Sequence, residues 1–119
     1  MTKGAMLPKE LHQALLAFRR ERDWGQFHTL RTLSTSLAIE CAELMEITQW
    51  VPDSDLGNVA LADADRIKDE VADIAILLAY LVNDLDIDVE DAVRSKLEKN
   101  AEKYPVDKAR GVSTKYDRL

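Results

Sequence analysis

A single cysteine, Cys41, is all the thiol chemistry the chain carries, which excludes an intrachain disulfide and a cysteine-built zinc cluster. Only four Gly and three Pro occur, and aromatics make up 6% of the residues. A sandwich or barrel of short strands needs more turn punctuation and more β-branched and aromatic residues than that, whereas abundant Ala, Leu, Glu and Lys favour helices. No long hydrophobic run exists. The longest, residues 74–82, is too short to span a bilayer, and no charged start leads into an apolar run with a small-residue cleavage site. A soluble, cytoplasmic protein is expected. A glycine-rich phosphate loop, a Ser/His/Asp set and a reactive cysteine setting are also missing. Any hydrolytic chemistry must therefore use water as the nucleophile.

Positive charge is in deficit too: the net charge is −6, which argues against a general nucleic-acid binder. The deficit is uneven. Residues 1–95 hold 9 Lys/Arg against 18 Asp/Glu, and residues 96–119 hold 7 against 4. The basic end fits either favourable cations at a helix C-terminus or a patch for a small polyanion.

What is present is helical periodicity. Pro8 suits a first helical turn, and Leu11, Leu15, Phe18 and Arg22 recur on one side, predicting a helix over about residues 8–22. A second periodic stretch covers about 30–50 and ends at Val51-Pro52. "DSDLGNV" reads as a turn-rich loop. A third helix over about 61–85 opens on Asp63, Asp65 and Asp69, and is apolar almost all round from Val71 to Val82. Asp88 is placed to cap a fourth helix over about 89–103, which Tyr104-Pro105 closes. The 119 residues thus read as one domain, 1–119, with a helical core over about 8–104 and a loop-like arm over 105–119. The expected fold is all-α, an antiparallel four-helix bundle whose apolar third helix is partly covered by another subunit.

Carboxylates interrupt the apolar faces. Residues three apart on a helix lie roughly 60° from each other around the axis, so Glu40 and Glu43 share a face that continues through Ile47 and Trp50. Glu70 and Asp73 repeat the spacing, continuing through Leu77 and Tyr80. Four facing carboxylates without a counterion would repel and lose solvation, forcing protons onto some of them. A divalent cation resolves this, and oxygen-only ligands suit Mg²⁺, or Mn²⁺. A single pair of this kind commonly marks a solvated face, and early acids also compensate a helix dipole; two pairs merging into apolar stripes favour the metal. A di-iron carboxylate site would need Glu-x-x-His. Here the third positions after Glu40 and Glu70 are Glu43 and Asp73, with His12 and His28 elsewhere.

The two pairs, in "IECAELME" and "DEVADI", resemble those of the all-α nucleoside triphosphate pyrophosphohydrolases, the MazG-like superfamily. "ERDWGQFH", "ITQW", "SKLEKNAEKYP" and "ARGVSTKY" are similar, in the same order, to segments of its dCTP pyrophosphatase branch, over about residues 8–117. The resemblance implies that Glu40, Glu43, Glu70 and Asp73 bind Mg²⁺, and that a nucleoside triphosphate is cleaved to monophosphate and pyrophosphate in nucleotide-pool sanitising. It implies a homo-oligomer, usually a tetramer built as a dimer of dimers. It also places Trp24 and Trp50 on the base pocket with His28 beside it, although large aromatics serve cores as readily as pockets. In the third helix the chain departs from the dCTP-specific relatives, which carry Ile and Tyr where Ile76 and Leu77 stand.

Beside that resemblance, Lys96, Asn100 and Lys103 fall on one helical face, two cations and an amide able to grip phosphate oxygens or simply solvated helix-end charge. Arg110 and Lys115 on the arm are placed to close over phosphates. Water is expected to attack the α-phosphorus with Mg²⁺ stabilising charge. Glu43, between Glu40 and Glu46, is the expected proton acceptor. The rival reading is a non-enzymatic helical module for nucleotide binding or oligomerisation.

Overall fold

The computed structural model describes residues 4–119, and among them every regular element is helical. Helix α1, Lys9–Glu21, starts directly after Pro8, whose extended backbone (φ −52°, ψ 147°) feeds the first turn. Arg22 and Asp23 close it through backbone bonds to Arg19 and Arg20, and Asp23 takes a left-handed φ of 52° that turns the chain. A short 3₁₀ turn, Gly25–Phe27, leads to helix α2, Leu30–Glu46.

Thr29 fixes where α2 begins. Its Oγ1 accepts from the Thr32 backbone N–H at 3.1 Å, and Thr32 Oγ1 accepts from the Thr29 N–H at 2.8 Å, a reciprocal capping box. Because helical phase is set at the first turn, this cap also sets the direction of Glu40 and Glu43. Thr29→Ala is expected to destabilise the protein by about 1 kcal/mol, the usual cost of a lost N-cap, read as a lower denaturation midpoint with an unchanged slope.

Two boundaries differ from the sequence reading. Helix α2 stops at Glu46 instead of running to residue 50, because Ile47 and Thr48 switch to tighter bonds with Leu44 and Met45 ahead of Pro52. The "DSDLGNV" segment is not a loop: a 3₁₀ turn at Asp53–Asp55 enters helix α3, Leu56–Ala62. Gly57 and Asn58 are poor helix formers, but α3 packs on its own entry turn and on helix α4, Ala64–Asp84. Helix α5, Val89–Lys103, begins where expected, with Asp88 accepting from the Asp91 N–H at 3.0 Å. The arm carries a one-turn helix α6, Val106–Ala109, and a 3₁₀ turn at Tyr116–Arg118.

The all-α expectation holds, but the antiparallel four-helix bundle is not closed by one chain. The main interface joins α2 to α4, α1 lies on α4, and α5 has no substantial interface with any of them. Buried apolar residues are few among those described: Ala5, Leu33, Ile47, Ala79, Tyr80 and Val82. The radius of gyration is 17.9 Å, against about 13.5 Å for a compact domain of this length. The accessible surface is 9124 Å², against roughly 6,500 Å² for a compact monomer of this mass.

Candidate active site

Helices α2 and α4 pack so that their acids meet. One carboxylate oxygen from each of Glu40, Glu43 and Glu70 lies within 4.8 Å of the others. Asp73, one turn further along α4 and one methylene shorter, stays outside that trio. It still lines the adjoining cavity with Glu40 and helps to raise the Glu40 pKa. Of the four sequence-predicted ligands, three converge and the fourth flanks them.

The trio carries unresolved charge. Glu40 Oε2 and Glu70 Oε2 are buried without a hydrogen-bond partner, and none of the ion pairs among the described residues involves these acids. Two ionised carboxylates are both acceptors and cannot bond to each other. A proton is one remedy: the Glu40 carboxyl is pushed up to about 7, first by sharing a hydrogen bond with Glu70, then by burial, then by Glu43 and Asp73. A hard divalent cation is the other, since three converging acids, two of them with an orphaned buried oxygen, are the donor set such an ion takes.

Beside the acids opens a cavity of about 430 Å³, lined by Phe18 and Trp24, by His28, and by Ile76, Leu77 and Tyr80 of α4, with Glu40 and Asp73 also on its wall. Trp24 meets Phe18 edge to face at 5.7 Å, and His28 is tilted against Tyr80 at 5.1 Å. The Tyr80 hydroxyl donates to the Leu15 carbonyl at 2.6 Å, tying α4 to α1. Behind this wall the Arg19 guanidinium donates to both oxygens of Asp84, at 2.9 and 2.8 Å, and to His28 Nδ1 at 3.3 Å. Arg19 also lies 4.8 Å from the Tyr80 ring centre. Burial first, and then the Arg19 charge, hold His28 below the ordinary histidine range. Asp84 is held below the carboxylate range chiefly by its hydrogen bond from Arg19.

Trp24 and His28 are thus both on the cavity wall. Trp50 is not: with α2 ending at Glu46, the stripe loses its phase after the buried Ile47, and Trp50 is left 87% exposed, off the cavity wall. Lys96, Asn100, Lys103, Arg110 and Lys115 do not line the cavity either, because α5 stands away from α2 and α4. The end of α5 and the arm instead fold onto each other. Tyr104 and Tyr116 meet edge to face at 6.0 Å, and Lys103 Nζ sits 4.7 Å from the Tyr116 ring centre. Arg19, Asp84 and the bonded Tyr80 hydroxyl were not singled out from sequence. Arg19 and Asp84 are 65 positions apart, and no local pattern joins them.

A model of the MazG-like family matches residues 35–119, which include all four acids. The chain belongs to the MazG-like family. Among its relatives, dCTP pyrophosphatase 1 of Bos taurus is 39% identical over 104 residues, covering 86% of this chain and 62% of that protein. The protein of the same name from Homo sapiens is 38% identical, covering 86% and 61%. The chain therefore spans about three-fifths of the length of the curated relatives it matches. In structure, a pyrophosphatase from Archaeoglobus fulgidus superposes with a TM-score of 0.77 at 40% identity, covering 82% of this chain and 91% of that one. The MazG-like assignment matches the all-helical architecture built around α2 and α4. No helix among the described residues is long and apolar enough to cross a membrane.

Proposed function

We propose that the chain is a Mg²⁺-dependent nucleoside triphosphate pyrophosphohydrolase that cleaves a deoxynucleoside triphosphate of the dCTP type to the monophosphate and pyrophosphate, in nucleotide-pool sanitising. The observation that carries this reading is the adjacency of three convergent carboxylates, two of them with a buried oxygen that has no hydrogen-bond partner, to an aromatic-lined cavity. One region suits a cation and its phosphates; the other suits a flat, apolar base. Similarity to the named dCTP pyrophosphatases supports the substrate class.

Glu40, Glu43 and Glu70 would hold the cation, with Asp73 alongside. When bound, Mg²⁺ supplies charge neutralisation at the phosphates and lowers the pKa of bound water. Glu43 takes the proton of the attacking water on a carboxylate oxygen as the water adds to the α-phosphorus, and the bond from that phosphorus to the bridging oxygen breaks. Trp24 stacks on the base, and Phe18 and Leu77 exclude water from the base site.

The open shape supports a homo-oligomer, a tetramer formed as a dimer of dimers. Val93 and Leu97 extend an apolar stripe from Val89 along α5, and Leu97 is 62% exposed. A second copy against this stripe would bring the cationic face of α5, with Lys96, Asn100 and Lys103, and the exposed Trp50 to a neighbouring cavity. Sedimentation velocity is expected to give a multiple of the 13.4 kDa chain mass; a monomer at micromolar concentration contradicts this.

The direct test incubates pure protein with each dNTP and NTP plus Mg²⁺ and identifies the products. Monophosphate and pyrophosphate are expected. Diphosphate and phosphate would move the cleavage site, and binding without turnover would make the chain a nucleotide-binding module.

A further inference from the structure

Behind the cavity wall, touching it only through His28 and Tyr80, sits a charged clamp that the hydrolytic chemistry does not use. Arg19 reaches from α1 to Asp84 at the end of α4 through two short bonds, at 2.8 and 2.9 Å, and the same Nη1 that serves Asp84 also reaches His28 Nδ1 at 3.3 Å. A guanidinium can only donate hydrogen bonds. Nδ1 must therefore present its lone pair to Arg19, which leaves the imidazole proton on Nε2. A doubly protonated ring would turn an N–H against the guanidinium, and the lowered His28 pKa agrees with the neutral ring.

The rest of the wall leaves little else to recognise a base edge. Tyr80 has committed its hydroxyl proton to the Leu15 carbonyl. Phe18, Ile76 and Leu77 are apolar, and Glu40 and Asp73 are acceptors on the cation side. The neutral donors remaining are the Trp24 indole N–H, on a ring that meets Phe18 edge to face, and His28 Nε2–H. The His28 ring is held on two sides, by Arg19 at Nδ1 and by Tyr80 at 5.1 Å.

We propose that Arg19, clamped by Asp84, is a positioning residue that fixes His28 as the Nε2–H tautomer, so that the cavity offers the base one oriented donor. That donor favours a cytosine-type edge, whose ring N3 accepts, over a thymine or uracil edge, whose N3–H would meet it as a second donor. The cost of that mismatch is an unpaired buried donor, which separates substrates more sharply than a lost apolar contact. This inference rests on the cavity being the base site of a pyrophosphohydrolase, and it adds the means of base selection.

Two measurements test it. Long-range ¹⁵N correlation spectra of the full chain near neutral pH are expected to show His28 protonated on Nε2 alone, and Arg19→Met to show both tautomers. In steady-state assays Arg19→Met is expected to lower the ratio of kcat/KM for dCTP over dTTP roughly tenfold, mainly through KM for dCTP, about the worth of one hydrogen bond. His28→Gln, whose amide nitrogen reaches the Nε2 position, should keep most of that preference, and His28→Asn, whose amide nitrogen reaches only the Nδ1 position, should lose it. Should Arg19→Met fail to fold, the wild-type spectrum and the two His28 variants still decide. A wild-type His28 protonated on Nδ1, or a dCTP preference unaltered in folded Arg19→Met and in His28→Asn, overturns the proposal. If the wild type releases no pyrophosphate from any nucleotide, the hydrolase reading fails; calorimetric binding of dCTP and dTTP to the same variants then decides the base-selection inference independently.

Discussion

Glu43→Gln is expected to lower pyrophosphate release roughly 10²- to 10⁴-fold, the range in which general-base contributions fall, while dNTP binding persists. Gln keeps the shape of Glu and one carbonyl oxygen that can still face a cation, but it cannot accept a proton. Among the trio Glu43 is the residue whose loss separates these functions: Glu40 and Glu70 carry the buried orphaned oxygens, so changing them disturbs the charge balance of the site itself. The check is a paired measurement, turnover by pyrophosphate release and binding by calorimetry with a nonhydrolysable dNTP. Unaltered turnover would remove Glu43 from its role, and lost binding would make it a ligand alone.

The second large effect concerns protons at Glu40. Its carboxyl stands at about 7 in the folded chain against 4.5 ordinarily, so between those values the metal-free folded state holds a proton that the unfolded state has released. The stability this provides is fully present below about 4.5 and is lost as pH rises through about 7. Metal-free protein is therefore expected to melt at a lower temperature near pH 8 than near pH 5.5, and Glu40→Gln, uncharged throughout, should flatten that slope. Added Mg²⁺ should act in the opposite sense, stabilising more as pH rises, because it competes with the proton for the same oxygens. Thermal melts in chelator and in Mg²⁺, for both proteins, read the effect. Equal slopes for wild type and Glu40→Gln would show that Glu40 does not carry the proton.

Local signals were legible in the sequence. The starts of α1 and α5, the all-helical class and the shared faces of Glu40 with Glu43 and of Glu70 with Asp73 follow from caps, composition and helical spacing, which act within a few residues. Misread features depended on longer reach. The end of α2 is set by three-residue backbone bonds at Ile47 and Thr48, and its consequence is that Trp50 leaves the stripe that spacing alone assigned to it. Helix α3 forms at a segment containing Gly57 and Asn58, where packing against α4 overrides propensity. The Arg19–Asp84–His28 clamp joins two residues nine positions apart to a third 65 positions from Arg19, and a single chain gives no periodic signal for it. The closure of the bundle is not legible for a related reason: α5 has an apolar stripe, but a stripe does not say whether its partner lies in the same chain.

Diffraction from crystals soaked in Mn²⁺, with anomalous scattering used to place the ion, tests the central claim most directly. An anomalous peak held jointly by the carboxylates of Glu40, Glu43 and Glu70 is expected, on the side where Asp73 and the aromatic cavity meet. Ions scattered over other acidic surfaces, with the three glutamates turned apart and no density between them, would contradict it.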